Sequence, residues 1–418
     1  MNHIGRPFPY RQRLIGWQRL PVWIRRLLLW VTTLLILGLM AGTAWIWQQH
    51  NRPVTLPLPL GQFPVGRVAY DWTDPSRVET LASEPGQKRE LTVWIWYPAA
   101  PAVNKTAAPY LPASWVQARQ AMLGVGAFLT QNLSVVQSHA LADAPLATSG
   151  SPYPVLVMQP GLGPLVTDYT TLAEALASQG YVVVGSNPTY SANVVVFADG
   201  RRVLGTAAGN IPDTASPEEA RPLLNRLITV WAADDKFILN QLEGLNRSDP
   251  TGRFTGRLNL QAVGIFGHSF GGAAAAQLCQ LDSRCKAGAD LDGFPYGTVV
   301  EEGLRQPFMF VWSEPPDATD PGWQQALQDT ENMAVKRPHD QYEMTIQGMR
   351  HFNFSDQAIF FSPVLRLLGG LGPIDGRRGL EITVTYVQGF FDHYLKGMDV
   401  PLLNGPSPAY PEVQFKTQ

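Results

Sequence analysis

The sequence predicts an α/β fold, a mostly parallel sheet with helices on both faces, preceded by one N-terminal transmembrane helix. Three observations carry this expectation. From residue 154 onward short β-branched or apolar runs alternate with longer amphipathic stretches, the pattern of repeated strand–helix–strand units. Leu27–Trp47 is apolar and uncharged. At 418 residues the chain is long enough for one large α/β domain with appendages.

Arg6, Arg11, Arg13, Arg19, Arg25 and Arg26 precede the apolar run, and no acid occurs before Asp71. About 20 helical residues span the roughly 30 Å hydrocarbon layer. Trp30, Trp45 and Trp47 stand where interface anchors would. Residues 1–26 are therefore read as a basic cytoplasmic tail, 27–47 as a signal anchor, and the rest as exported to the periplasm or exterior. A cleaved signal peptide and a buried soluble helix are the alternatives. Residues 48–66, with Pro53, Pro57, Pro59 and Pro64, read as a tether. A catalytic domain follows over residues 67–418.

Within that domain Glu90–Tyr97 alternates like a strand. Residues 98–150 read as an insertion in which Trp115, Ala118, Met122, Val125 and Leu129 recur at helical spacing. That helix is either a lid or an ordinary core helix. Strands are expected at Pro154–Met158, Tyr181–Gly185, Leu260–Phe266, Ala287–Leu291, Phe308–Trp312 and Tyr342–Gln347. Helices are expected at Asp168–Gln179, after the cap Ser216 with Pro217 at its first position, at Ala273–Leu278, and around Leu380–Phe391.

With 45% hydrophobic and 16% charged residues and a net charge of −2, the chain has a globular core and no basic stripe, so nucleic acid is excluded as a partner. No phosphate-cradling Gly-x-x-x-x-Gly-Lys is present, and Cys279 and Cys285 lack the histidines of a zinc site. Neither cofactor nor metal is expected. In an exported protein these two cysteines, six positions apart, are candidates for a disulfide, with two buried thiols as the alternative.

Gly267-His268-Ser269-Phe270-Gly271 lies between an expected strand and an expected helix, the context of the nucleophile elbow of α/β-hydrolases. Ser269 is the candidate nucleophile. It needs a base, and His351 follows a strand at the end where such sheets present their reactive loops. His339 precedes that strand, His393 lies inside the last helix, and His268 is in the elbow. For the orienting acid, Asp292 and Asp317 both follow strands and remain equal candidates; Asp290 lies within a strand. Backbone donors for an oxyanion are expected from Phe270 and from Leu162 in Gln159-Pro160-Gly161-Leu162-Gly163.

The elbow Gly-His-Ser-Phe-Gly-Gly, the run Leu291-Asp292 into Phe294-Pro295, the segment His351-Phe352-Asn353-Phe354-Ser355-Asp356, and Gly161-Leu162-Gly163 together resemble the platelet-activating factor acetylhydrolase family, in its plasma and intracellular type II branch. The resemblance covers about Glu90 to Lys396 and leaves residues 98–150 unmatched. Pro160 stands where that family often has histidine. The resemblance implies a triad of Ser269, Asp292 and His351, which selects Asp292 over Asp317, an oxyanion hole at Leu162 and Phe270, and a calcium-independent serine esterase for short-acyl phospholipids. A general carboxylesterase, a dienelactone or polyester hydrolase, and a catalytically silent membrane-tethered binding domain are the alternatives.

Overall fold

The computed structural model describes residues 20–101, 106–150, 152–212, 214–315, 317–336 and 341–416. Arg6, Arg11, Arg13, Arg19 and His339 lie outside them. The chain divides into two compact units that meet between Asn51 and Arg52. The first contains helix α1, Val22–His50, longer at both ends than the expected span and apolar enough to cross a membrane or to serve as a signal sequence.

The second unit is an α/β domain. Its strands are β1 Val54–Thr55, β2 Val65–Val78, β3 Lys88–Pro98, β4 Ala107–Pro109, β5 Val136–Ala142, β6 Tyr153–Gln159, β7 Val182–Asn187, β8 Val194–Val196, β9 Arg202–Leu204, β10 Leu258–His268, β11 Cys285–Leu291, β12 Phe308–Ser313, β13 Gln341–Ile346 and β14 Val413–Phe415. Its helices are α2 Ala113–Leu123, α3 Thr170–Ser178, α4 Pro217–Arg247, α5 Phe270–Leu281, α6 Val299–Glu302, α7 Pro321–Lys336, α8 Pro363–Leu367 and α9 Gly376–Lys396.

The main sheet runs β1-β5-β2-β3-β7-β6-β10-β11-β12-β13-β14, with β4 on β5, while β8 and β9 form a separate hairpin. Pairing is parallel from β7 through β13 and antiparallel at β2/β3, β3/β7 and β13/β14. The side-chain period of two divides the central strands between two cores. Leu156, Met158 and Phe266 join α3 and α9 on one face; Val155, Val157, Val263 and Ile265 join α4 and α5 on the other. Such strands, buried on both faces, read as continuous apolar runs, which made them visible in the sequence.

Helix α4 starts as its sequence foretold. Pro217 opens it, the Ser216 hydroxyl accepts from the Glu219 amide, and the Glu219 carboxylate accepts from the Ser216 amide.

Two expected features differ. Residues 52–66 do not form a free tether: β1 pairs with β5, and Phe63 packs edge-on against Tyr153, because this Pro-rich stretch still carries apolar residues for the domain to bury. Residues 98–150 likewise extend the sheet, since β5 pairs with both β1 and β2. The helix expected to run through Leu129 ends at Leu123, where Gly124 adopts φ 55°, and continues as a 3-10 turn over Gly124–Leu129. Cys279 and Cys285 are joined by a disulfide that staples the end of α5 to the start of β11.

Candidate active site

Ser269 sits between β10 and α5 with φ 57° and ψ −129°, a conformation that costs an L-residue about 1–3 kcal/mol and persists only where the surroundings enforce it. They do so tightly. A Cβ at position 267 would lie 2.3 Å from the Gly271 carbonyl carbon, and one at 271 would lie 2.3 Å from the Pro160 oxygen, so both elbow glycines are sterically required. The Ser269 amide donates to the Leu291 carbonyl at 2.8 Å, tying the turn to β11.

His351 opens a short 3-10 turn after β13, and the fold brings it over the elbow. Its Nε2 lies 3.0 Å from Ser269 Oγ, and its Nδ1 lies 2.7 Å from Asp292 Oδ2. Asp292 is the first residue after β11, is buried, and has φ 59°. Its remaining lone pairs accept from the Ser313 amide at 2.7 Å and the Ser313 hydroxyl at 2.9 Å. Burial alone would raise this carboxyl, but the hydrogen bond and charge of His351, with the Ser313 amide, outweigh it and hold the group below the ordinary carboxylate range. The ordered pair Nδ1–H···carboxylate leaves Nε2 as the lone-pair nitrogen facing the serine.

The other candidates fall elsewhere. Asp317 is fully exposed and accepts from the Thr319 amide and hydroxyl. Asp290 lies within β11, where its Oδ1 accepts from the Gly293 amide and burial holds its carboxyl well above the ordinary range. His393 Nδ1 contacts the Met398 carbonyl near the end of α9.

Leu162 and Phe270 line one cavity of about 380 Å³ with Ser269 and His351, walled by Phe294, Tyr296 and Trp323. Among the described residues neither the Leu162 nor the Phe270 amide donates to a backbone carbonyl. Phe270 is the first residue of α5, so its N–H belongs to the unpaired first turn of a helix, where negative charge is favoured. Gly161 allows close approach: its Cβ would lie 3.3 Å from Ser269 Cβ. A second cavity of about 590 Å³ shares the Leu162 wall and is lined by Met122, Leu129, Ile211, Phe352 and Leu365. In the segment around α2, Trp115 and Ala118 are core, while Met122 and Leu129 line this second cavity.

His268, Asp292 and His351 place ligand atoms within 4.8 Å of one another. Their nitrogens are already committed: His268 Nε2 to the His351 carbonyl at 2.8 Å, His268 Nδ1 to the Tyr169 hydroxyl at 2.8 Å, and His351 to Asp292 and Ser269. The donor set suits proton transfer better than metal ligation.

The pattern of the family described as "Platelet-activating factor acetylhydrolase, isoform II" matches residues 48–197 and 238–400. The chain belongs to this family. Among its relatives is a "Probable 1-alkyl-2-acetylglycerophosphocholine esterase" of Arthroderma benhamiae, 28% identical over 86% of this chain and 93% of that one. The "Platelet-activating factor acetylhydrolase" of Cavia porcellus is 27% identical over 66% of each chain. Among solved structures, a ferulic acid esterase from Streptomyces cinnamoneus superposes with a TM-score of 0.71 at 28% identity, covering 87% of this chain and 99% of that one. The acetylhydrolase family match includes residues 98–150 and begins ahead of Glu90, so the narrower range read from the motifs is corrected. Those motifs lie at strand ends, while β1, β4 and β5 fall within the match without a short signature.

Sequence reasoning missed Ser313 and Tyr169 and left His268 without a partner. Ser313 ends a strand next to Asp292, which is a signal of sheet register only. Tyr169 lies seven residues past Leu162 and offered no motif.

Proposed function

We propose that this chain is a serine esterase that removes a short acyl group from a glycerophospholipid or related small ester, through an acyl-enzyme on Ser269. The observation that carries this reading is the relay from Asp292 through His351 to Ser269, at 2.7 and 3.0 Å, at the floor of an apolar cavity. His351 Nε2 takes the Ser269 proton as Oγ adds to the ester carbonyl. The oxyanion that forms accepts from the Leu162 and Phe270 amides, a pair of donors each worth about 10²–10³ in turnover. Collapse expels the alkoxide, which takes the proton back from His351, and the acyl group stays on Ser269. Water, deprotonated by His351, then releases the carboxylic acid. Asp292 keeps Nδ1–H in place and stabilises the imidazolium throughout.

The substrate class follows from the family and from the names of the relatives, and a cavity of about 380 Å³ with aromatic walls suits a short apolar acyl group. Likeness to a ferulic acid esterase favours a second reading, a hydrolase of small aryl esters. Full-length chain in detergent, assayed on short-acyl phospholipids beside aryl esters of graded chain length, separates them: falling rates with acyl length on phospholipid support the first, and activity confined to aryl esters supports the second. No hydrolysis of either class, with an unmodified Ser269 after organophosphate treatment, would mean a silent binding domain.

The same proposal places residues 27–47 in a membrane with the N-terminus in the cytoplasm and the catalytic domain outside. Six arginines before the apolar run and no acid before Asp71 support that orientation, and the Cys279–Cys285 bridge suits an oxidising compartment. A C-terminal reporter active only in the cytoplasm would refute it, and a shortened soluble product would mean a cleaved signal peptide.

A further inference from the structure

His268 precedes the elbow serine and does not touch the reacting atoms. It is buried, its ring centre lies 4.5 Å from that of His351, and each of its nitrogens meets a different loop. Nε2 lies 2.8 Å from the His351 carbonyl oxygen, which can only accept, so this nitrogen carries the proton. Nδ1 then accepts from the Tyr169 hydroxyl at 2.8 Å. Tyr169 in turn accepts from the Gly161 amide at 3.1 Å. Every donor in this chain has one acceptor, so the direction of each bond is determined. Burial, with a smaller contribution from His351, pushes the His268 imidazole down to about 3, and burial holds the Tyr169 hydroxyl above its ordinary range; both agree with the neutral, one-way chain.

We propose that His268 and Tyr169 form a positioning strut that sets the distance between the His351 loop, the Ser269 elbow and the Gly161–Leu162 donor loop. The geometry requires all three at once: His268 is covalently next to Ser269, holds the backbone of His351, and reaches Gly161 through one hydroxyl. Gly161 is one residue from Leu162, whose N–H must sit about 3 Å from the oxyanion, and a misplacement of 1 Å in such a site can cost about 100-fold in rate. The strut bears on the transition state more than on substrate binding, because donor placement matters most once the charge develops.

This inference rests on the Ser269–His351–Asp292 reading, and the test separates the two. Tyr169→Phe keeps the ring and deletes the one oxygen. Its expected result is an unchanged melting temperature, a KM within about twofold, and a kcat lower by about 10- to 100-fold. The inhibition constant of a trifluoromethyl ketone, which places an oxyanion in the same hole, should weaken by a similar factor. A glutamine offers one donor and one acceptor, so His268→Gln should exceed His268→Leu in kcat by at least about tenfold, a difference that mere packing would not produce. If the His268 variants fail to fold, nitrogen NMR of the intact protein still decides the tautomer: protonation at Nε2 between about pH 5 and 8 supports the strut, and protonation at Nδ1 overturns it. Wild-type kcat and ketone affinity in Tyr169→Phe, or equal losses in His268→Gln and His268→Leu, overturn it too. Should Ser269→Ala be inactive while Tyr169→Phe is unimpaired, the strut alone fails; an active Ser269→Ala variant overturns both readings.

Discussion

The loops after β11 and β12 leave neighbouring parallel strands, and each carries an aspartate that could face a histidine. Asp292 is the first residue of its loop, buried and in a left-handed conformation; Asp317 is four residues beyond its strand and lies in solvent. Asp292 is held by Ser313 and His351, whereas Asp317 closes a local turn on Thr319. Placement at a strand end is thus insufficient. A carboxylate that must stay ionised beneath a histidine needs donors from a neighbouring strand, and only the loop residue closest to the sheet can reach them. Burial is not the distinguishing property either, since Asp290 and Asp356 are equally buried but held above the carboxylate range by desolvation.

The sharpest way to break the comparison is Asp292→Asn. Loss of the acid in a triad of this logic costs about 10⁴ in turnover, and kcat should fall on that scale with circular dichroism unchanged. A mild effect would dismiss the proposed role of Asp292. Next in size is Ser313→Ala, which removes the hydroxyl donor and leaves the amide donor; kcat should fall about tenfold, and an unaltered rate would show that the amide suffices.

Asp356 tests what burial does to an acid without a basic partner. It accepts from the Thr171 amide and contacts the Tyr110 hydroxyl, and burial pushes it up to about 8. The unfolded chain titrates near 3.9, so between about pH 4 and 8 the native state keeps a proton that the unfolded state releases, and stability falls as pH rises by up to about 1.4 kcal/mol per unit. In Asp356→Asn this component of the slope should vanish, as read by urea midpoints across that window. A slope identical to wild type would mean that Asp356 is ionised in the fold. The smallest effect belongs to Asp317→Asn, where kcat/KM should stay within about twofold. A loss near that of Asp292→Asn would reverse the comparison.

Much of the architecture was legible because it depends on neighbours in sequence. Short, continuous apolar or β-branched runs showed the central strands, Ser216-Pro217 showed the start of α4, and the glycines around Ser269 showed an elbow before any distance was known. His351 was legible from chain order and strand ends. The edge strands escaped notice: β1 has two residues and β4 three, too short for any period, and they exist because β5 is there to pair with them.

By itself, then, the sequence determined which residue types stand at each turn, since capping, periodicity and steric relief at glycine act over a few residues. Pattern alone left Asp292 and Asp317 equal, and resemblance chose between them. Only the tertiary structure decided how Ser313 holds Asp292 and how Tyr169 reaches His268. The register that pairs Leu291 with Val311 brings the end of β12 beside Asp292, and the Tyr169–His268 contact joins residues 99 positions apart. Such contacts depend on strand order and register, which no local pattern encodes.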